Sequence, residues 1–246
     1  TYFNDTYERN GKFEKFEGYC TDVFFAESMR FVEENQTQPF FLYLAPNAPH
    51  GPYRVDEKWA EPYRKDIPWG GGAQFYGMVE NIDHNVGLLR AKLDELGLAE
   101  NTIFIFMTDN GTANGAKFEG LTSEAKQGYN AGMRGKKSSV YEGGHRVPFF
   151  IHWPKGNLVG GRDVKSISAH IDVLPTLAEL CGLPVSKAHN PDGISFAAQL
   201  NNPEAPAHRD HHIVQFQGGP HFRESPKAWS YTCVLKDSWR LIDGKE

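Results

Sequence analysis

The sequence predicts an α/β fold, a mainly parallel sheet sandwiched by helices, followed by the start of a small C-terminal antiparallel sheet. Three observations carry this expectation. Helix-period stripes precede short runs that are apolar on both faces; those runs are rich in β-branched and aromatic residues; and beyond Cys181 the texture changes to Pro, Asn and His.

Thr21 or Asp22 can cap a first helix whose Phe25, Met29 and Val32 share a face. A Gln/Asn-rich turn then leads to Phe40-Phe41-Leu42-Tyr43-Leu44, read as a strand apolar on both sides. From Met78 to Leu98 the stripe Ile82, Val86, Leu89, Leu93 and Leu96 marks the clearest helix, closed near Gly97. Thr102 to Thr108 follows as a second strand, expected to be covered by helices on both sides. Val147 to Trp153 is the third and stops at Pro154, after which Asp172 to Leu180 reads as a short helix that tolerates Pro175 in its first turns. Pro and Asn cluster from Pro184 to Pro206, and Trp229 to Ile242 alternates as an antiparallel hairpin does. Residues 1–183 are therefore expected to be part of one main α/β domain, and 184–246 a connector and the beginning of a small subdomain.

Composition excludes several classes. With 26 basic against 31 acidic residues and a net charge of -5, there is no basic field for binding phosphate backbones, so nucleic acid is not an expected partner. No apolar run approaches the ~20 residues needed to span a bilayer, and the first residues lack the basic and apolar regions of an export signal. Because the chain begins without Met, it is expected to be a processed or truncated piece, and location is left open. Cys20, Cys181 and Cys233 are too far apart for a zinc ribbon or a disulfide scaffold, and each reads as a plain buried or semi-buried thiol. No Gly-x-Gly-x-x-Gly or Walker pattern supports nucleotide binding.

In a parallel α/β sheet, ligand groups collect beyond the strands' C-terminal ends, and three polar segments lie after or between the predicted strands. Asp109-Asn110-Gly111 follows the second strand and offers a carboxylate and an amide oxygen, hard donors suited to calcium or magnesium. Taken bare, the tripeptide is more often a turn. His50, between Pro49 and Pro52, has the setting of a fixed general acid, but a single loop histidine among ten in the chain is ordinarily a surface group. Lys137 and Arg134 lie in a Gly-flanked stretch from which a cation can approach an anion, or simply be solvated. His208, His211 and His212 lack carboxylate or thiolate support at zinc-site spacing and read as a solvated loop.

In order, these segments resemble the sulfatase family of the alkaline phosphatase superfamily, from about Phe16 to the C-terminus. The residues that carry the resemblance are Pro39 to Ala45 with Ala48-Pro49-His50-Gly51-Pro52, then Thr108-Asp109-Asn110-Gly111, then Arg134 to Lys137 with Tyr141-Glu142-Gly143-Gly144-His145-Arg146-Val147-Pro148. Ser168 to Leu177 and Pro191-Asp192-Gly193-Ile194-Ser195 extend it. The resemblance implies that the full-length protein is a sulfuric ester hydrolase, an arylsulfatase-like enzyme of the alkaline phosphatase-like fold. It implies Asp109 and Asn110 as calcium ligands, His50 as the residue that protonates the departing alcohol, and Lys137 as a cation on the sulfate oxygens. Lys137 is preferred to Lys136 because it stands four residues before Tyr141, although Lys136 occupies what is usually a glycine. Glu142 and Arg146 look structural, and His145 occupies a variable position that faces the substrate.

In the family, the nucleophile is a formylglycine made from Cys or Ser in Cys/Ser-x-Pro-Ser-Arg, and further calcium carboxylates come from an Asp-Asp pair. Neither motif is in this sequence, where Cys20 is followed by Thr-Asp-Val, Cys181 by Gly-Leu-Pro and Cys233 by Val-Leu-Lys. The 246-residue chain alone is therefore expected to be inactive and a poor calcium binder. The implied partner is a small-molecule or carbohydrate sulfate ester, with specificity residing in loops such as 53–72 and 112–132. A periplasmic, secreted or lysosomal location follows from the resemblance alone, and oligomeric state from nothing in the sequence. The rival readings are a phosphodiesterase or phosphonate hydrolase of the same superfamily, disfavoured because Asn110 stands where those enzymes tend to carry His, and a non-catalytic binding relative.

Overall fold

The computed structural model describes residues 2–67, 71–112, 130–184, 191–216 and 231–242. Most of the expected 112–132 loop, residues 68–70 of the 53–72 loop, and the last four residues lie outside that set. The chain divides into two compact units, Thr1–Thr102 with Thr112–Asn130, and Ile103–Gly111 with Ala131–Glu246.

The first unit opens with a hairpin, β1 (Thr6–Arg9) and β2 (Lys12–Lys15), antiparallel in the register Thr6↔Lys15 to Arg9↔Lys12. Its turn is Asn10-Gly11, with φ of 51° and 80°, the left-handed pair that a two-residue hairpin loop requires. Helix α1 (Cys20–Glu34) follows, then the single turn α2 (Glu57–Ala60) and the long α3 (Gly72–Glu95). The expected face of α1 is confirmed, with Phe25 and Val32 buried. Fully burying a side chain such as Val32 contributes about 1.5–3 kcal/mol. The helix is not capped by Thr21 or Asp22, however: its N-cap is Tyr19, and no side chain bonds there. The Asp22 carboxylate instead reaches α3, where its Oδ1 accepts from Asn81 Nδ2 and Asn85 Nδ2, both at 2.8 Å.

The buried stripe of α3 is Met78, Asn81, Asn85, Leu89 and Leu93, while the expected Ile82, Val86 and Leu96 lie at its margin. Gly97 closes the helix as expected, at φ 68°, its N–H on Asp94 O and that of Leu98 on Leu93 O. Toward the start of α3, Gly77 allows the approach of α2: a Cβ there would lie 2.8 Å from the Trp59 carbonyl. Phe40 to Leu44, expected as a strand, has no ladder partner among the described residues. Its side chains alternate between exposed and part-buried, with Phe41 74% and Tyr43 80% exposed, so only one of its two apolar faces is covered.

In the second unit, β3 (Phe104–Met107) pairs antiparallel with β4 (Phe149–His152), Phe104 opposite His152 and Met107 opposite Phe149. Phe149 and Ile151 pack on a core of Leu158, Phe196 and Leu200, whereas Phe106 and Phe150 remain on an open face. The short helices are α4 (Glu142–His145), α5 (Val173–Leu180) and α6 (Ala197–Asn201). The C-terminal sheet, ordered β5 (His212–Gln215), β6 (Thr232–Lys236), β7 (Trp239–Ile242), is antiparallel throughout and contains the expected hairpin. It buries Cys233 and Leu235 against Val140.

Every strand pair among the described residues is antiparallel, so the parallel part of the expected sheet is not found there. A doubly apolar run reports burial, not the direction of its neighbour, and pairing direction is settled by contacts remote in sequence. No helix among the described residues is long and apolar enough to cross a membrane.

Candidate functional site

Chain direction changes sharply where β3 ends, and the residues there are Thr108-Asp109-Asn110-Gly111. Thr108 Oγ1 donates to Asn110 O at 3.3 Å, and the Asn110 amide donates to Asp109 Oδ2. Asp109 is exposed and Asn110 half-buried, and their Oδ1 atoms have no hydrogen-bond partner among the described residues. This turn is fastened to the segment that carries Lys137. Gly111 N–H donates to Gly144 O at 3.0 Å, and Gly143 N–H donates to Arg134 O at 2.8 Å.

The fastening works because glycines meet there. A Cβ on Gly111 would lie 1.8 Å from Gly143 O, one on Gly143 would lie 2.1 Å from Gly135 O, and one on Gly144 would lie 2.3 Å from Ser139 O. No real Cβ sits that close, so three backbone turns approach only where side chains are absent. Lys137 lies on one of these turns, half-buried, with no ion pair among the described residues. Arg134, the other candidate cation, has its guanidinium 3.9 Å above the Tyr141 ring, a cation–π contact that holds it in place.

Glu142 is structural, as expected. Its carboxylate receives Arg240 Nε at 3.0 Å and Nη2 at 2.8 Å, a two-pronged pair tying α4 to β7. Arg146 is a weaker partner of the same carboxylate at 3.6 Å. His145 is half-buried, and its Nε2 is enclosed with no hydrogen-bond partner among the described residues. Burial lowers its pKa, outweighing the opposing pull of Glu142 and of the Val140 backbone, so the ring is neutral at neutral pH.

His50 belongs to the first unit. The Tyr2 phenol donates to His50 O, His50 N–H donates to Asn47 O at 3.0 Å, and Cys20 Sγ donates to Asn47 Oδ1 at 3.3 Å. His50 Nδ1 is 2.8 Å from Gly51 O. A carbonyl can only accept, so Nδ1 carries hydrogen and Nε2 is the atom free to exchange a proton with a ligand. The ring itself is exposed.

The sequence reading missed Asp172, the most enclosed carboxylate described. It accepts the N–H of Ala169 at 2.9 Å and of Ile194 at 2.8 Å, pairs with the Arg209 guanidinium, and has His208 Nε2 at 3.4 Å. Burial alone would raise its pKa; the Ile194 N–H, Arg209 and the Ala169 N–H together overcome this and hold it below the ordinary carboxylate range. Two residues before it, His170 Nε2 meets Thr108 O at 2.9 Å, bracing the end of β3 from which Asp109 emerges. His208 corrects the solvated-loop reading: its side chain is buried, against Asp172 and the Phe196 ring. An acidic partner thirty-six residues away gives no local signal. His211 is exposed, as expected. The cysteines are mixed, Cys20 and Cys233 buried with thiols pushed up by burial, Cys181 exposed rather than buried.

Among the described residues, no group of three or more His, Cys, Asp or Glu is placed to hold a metal ion. Asp109 and Asn110 fit a hard cation in kind, through oxygen, but two donors are fewer than the six to eight oxygens that calcium takes.

The sulfatase family profile matches residues 1–183. The uncharacterized sulfatase YdeN of Escherichia coli is 33% identical over 189 residues, covering 75% of this chain and 31% of that protein. An N-acetylgalactosamine-6-O-sulfatase of Bacteroides thetaiotaomicron is 30% identical over 173 residues, covering 70% of this chain and 32% of that one. Among solved structures, Ps i-CgsB in complex with k-i-k-neocarrahexaose matches with a TM-score of 0.77 at 30% identity, over 95% of this chain and 48% of that chain. The chain thus spans about a third of the length of these curated relatives.

Proposed function

Because this chain belongs to the sulfatase family, we propose that the full-length protein hydrolyses a sulfate ester, releasing sulfate and an alcohol. The observation that carries the reading is the pair of bonds Gly111–Gly144 and Gly143–Arg134, which joins the turn bearing two hard oxygen donors, through α4, to the turn bearing a cation without an ion pair among the described residues. Breaking a sulfate ester develops negative charge on the transferred group and on the leaving oxygen, so the site needs positive charge at one and a proton at the other.

Lys137 answers the first need, its ammonium set against the sulfate oxygens. His50 answers the second: with Nδ1 held on Gly51 O, Nε2 gives its proton to the departing oxygen. Asp109 and Asn110 would hold calcium together with ligands outside this sequence; when bound, that ion supplies positive charge to the sulfate oxygens. His145, neutral and with Nε2 unbonded among the described residues, is assigned to the substrate side. The nucleophile is assigned to a formylglycine, and none of the three cysteines here stands in the sequence from which one is made. The chain as given is therefore inactive and binds calcium poorly. Residues 1–183 are read as part of the catalytic domain, and 184–246 as a connector and small subdomain.

The substrate class follows the relatives' names, an N-acetylgalactosamine-6-O-sulfatase and a protein crystallised with neocarrahexaose, toward a carbohydrate ester. A periplasmic, secreted or lysosomal location accompanies the family reading.

The test is to coexpress the full-length protein with a formylglycine-generating enzyme and assay sulfated saccharides, 4-nitrophenyl sulfate and bis-4-nitrophenyl phosphate, with and without calcium. Calcium-dependent sulfate release, lost in folded His50→Ala and Lys137→Ala variants, supports the assignment. Preferred phosphodiester cleavage moves the protein to the rival enzyme class; inactivity on every ester, with formylglycine verified, favours a binding relative. Sulfate release by the 246-residue chain alone would overturn the residue roles.

A further inference from the structure

We infer that Tyr2 is a positioning residue for His50, fixing the backbone from which the imidazole delivers its proton; the inference rests on His50 being the acid of the proposed reaction. Tyr2 is buried, stacked on Tyr19 at 5.9 Å, and its phenol faces the 47–50 loop. That phenol has one proton, donated to His50 O, with Asn47 O at 3.4 Å as a weaker second acceptor. Burial first, then Cys20 and Tyr53, pushes the phenol's pKa up, so it remains a donor across the working range.

The loop has a second tether. Cys20 N–H donates to Tyr2 O at 2.8 Å, and Cys20 Sγ reaches Asn47 Oδ1. Tyr2 and Cys20 thus hold the loop at the acid's own carbonyl and at the Asn47 side chain. The ring beyond these tethers is exposed, with a single described contact to Gly51 O. The placement of its Nε2 therefore depends on how firmly the backbone beneath is held. Neither tether reaches the imidazole ring, so both act through the backbone that carries His50.

Protonation matters most for a poor leaving group, which cannot depart as an anion, and least for one that can. The full-length formylglycine-bearing enzyme, its Tyr2→Phe variant and its His50→Ala variant are compared on phenyl sulfate and on 4-nitrophenyl sulfate. In Tyr2→Phe, kcat/KM on phenyl sulfate is expected to fall about 10-fold while that on 4-nitrophenyl sulfate stays within about 2-fold; His50→Ala is expected to show the same selectivity at about 100-fold. Equal losses on both esters in Tyr2→Phe, or none, overturn the positioning role. Equal losses in His50→Ala overturn the underlying assignment of the acid, and so separate the two failures. Should Tyr2→Phe not fold, Cys20→Ala, which cuts the Asn47 tether, must give the selective loss, and an unselective one overturns the inference.

Discussion

Removing the Asp172 carboxylate in an Asp172→Ala variant strips four donors of their acceptor in a place water does not reach. The Ala169 and Ile194 N–H groups, at 2.9 and 2.8 Å, lose a charged acceptor, and Arg209 is left with its charge nearly enclosed beside His208. Breaking one side of a buried ion pair costs about 3–5 kcal/mol, and stranded backbone donors about 1–3 kcal/mol each; the terms overlap, so a total of about 4–5 kcal/mol is expected. For a unit of 150–250 residues each kcal/mol moves Tm by about 2–4 °C, giving a fall of about 8–20 °C in a calorimetric scan of the full-length protein. The pH dependence has a fixed sign. The folded carboxyl titrates below its ordinary value, so its contribution is complete above about pH 4 and fades as pH falls through the lower, folded value. The gap between wild type and variant should stay constant from pH 7 to pH 5 and close only in stronger acid. A loss under about 1 kcal/mol would refute the reasoning, since that is what an exposed pair gives.

Gly144→Ala forces a Cβ to 2.3 Å from the Ser139 carbonyl and should abolish folded, active protein, whereas Gly87→Ala, which meets nothing within 4 Å, should raise stability by about 0.5–1 kcal/mol in denaturant titration. His145 and His212 both titrate below the ordinary imidazole value, chiefly through burial, so charging them opposes folding and stability should fall as pH drops below about 6.5. Urea midpoints of a His145→Gln, His212→Gln double variant should lose that slope between pH 6.5 and 5. Asp109→Asn should leave the melting temperature of the metal-free full-length protein within about 2 °C, because the exposed side chain bonds only Asn110 among the described residues, while calcorimetrically measured calcium affinity falls at least about 10-fold.

What the sequence discloses is what local chemistry dictates. The long helix closed by Gly97, the Pro175-bearing helix and the C-terminal hairpin are written in spacing and turn residues, and the structure has all three. Asn10-Gly11 is a favoured hairpin-turn pair, but the flanking residues of β1 and β2 carry little of the hydrophobic alternation that marks a strand pair. Apolar spacing marks the stripe of α3 but not Asn81 and Asn85, which share its buried face. Phe40 to Leu44 shows the opposite failure: an apolar run encodes a wish to be covered but not the identity of the cover. For the site, residue types and order singled out Asp109, Asn110 and Lys137, whereas their fastening depends on Gly111 meeting Gly144, a non-local contact that no spacing displays. Asp172 and His208 went unrecognised as a pair for the same reason.

The Asp22 carboxylate, bonded to both Asn81 and Asn85, has a consequence for how α1 and α3 find each other. Apolar stripes are tolerant of sliding: a shift of one helical turn, about 5.4 Å, exchanges one greasy neighbour for another at little cost. A half-buried carboxylate bonded to two buried amides is not, because a shift of one turn takes it away from both and leaves the Asn81 and Asn85 side chains without that acceptor. The two helices therefore dock like a key with a single notch, and an Asp22→Leu exchange removes that discrimination among alignments while stranding the buried Asn81 and Asn85 amides.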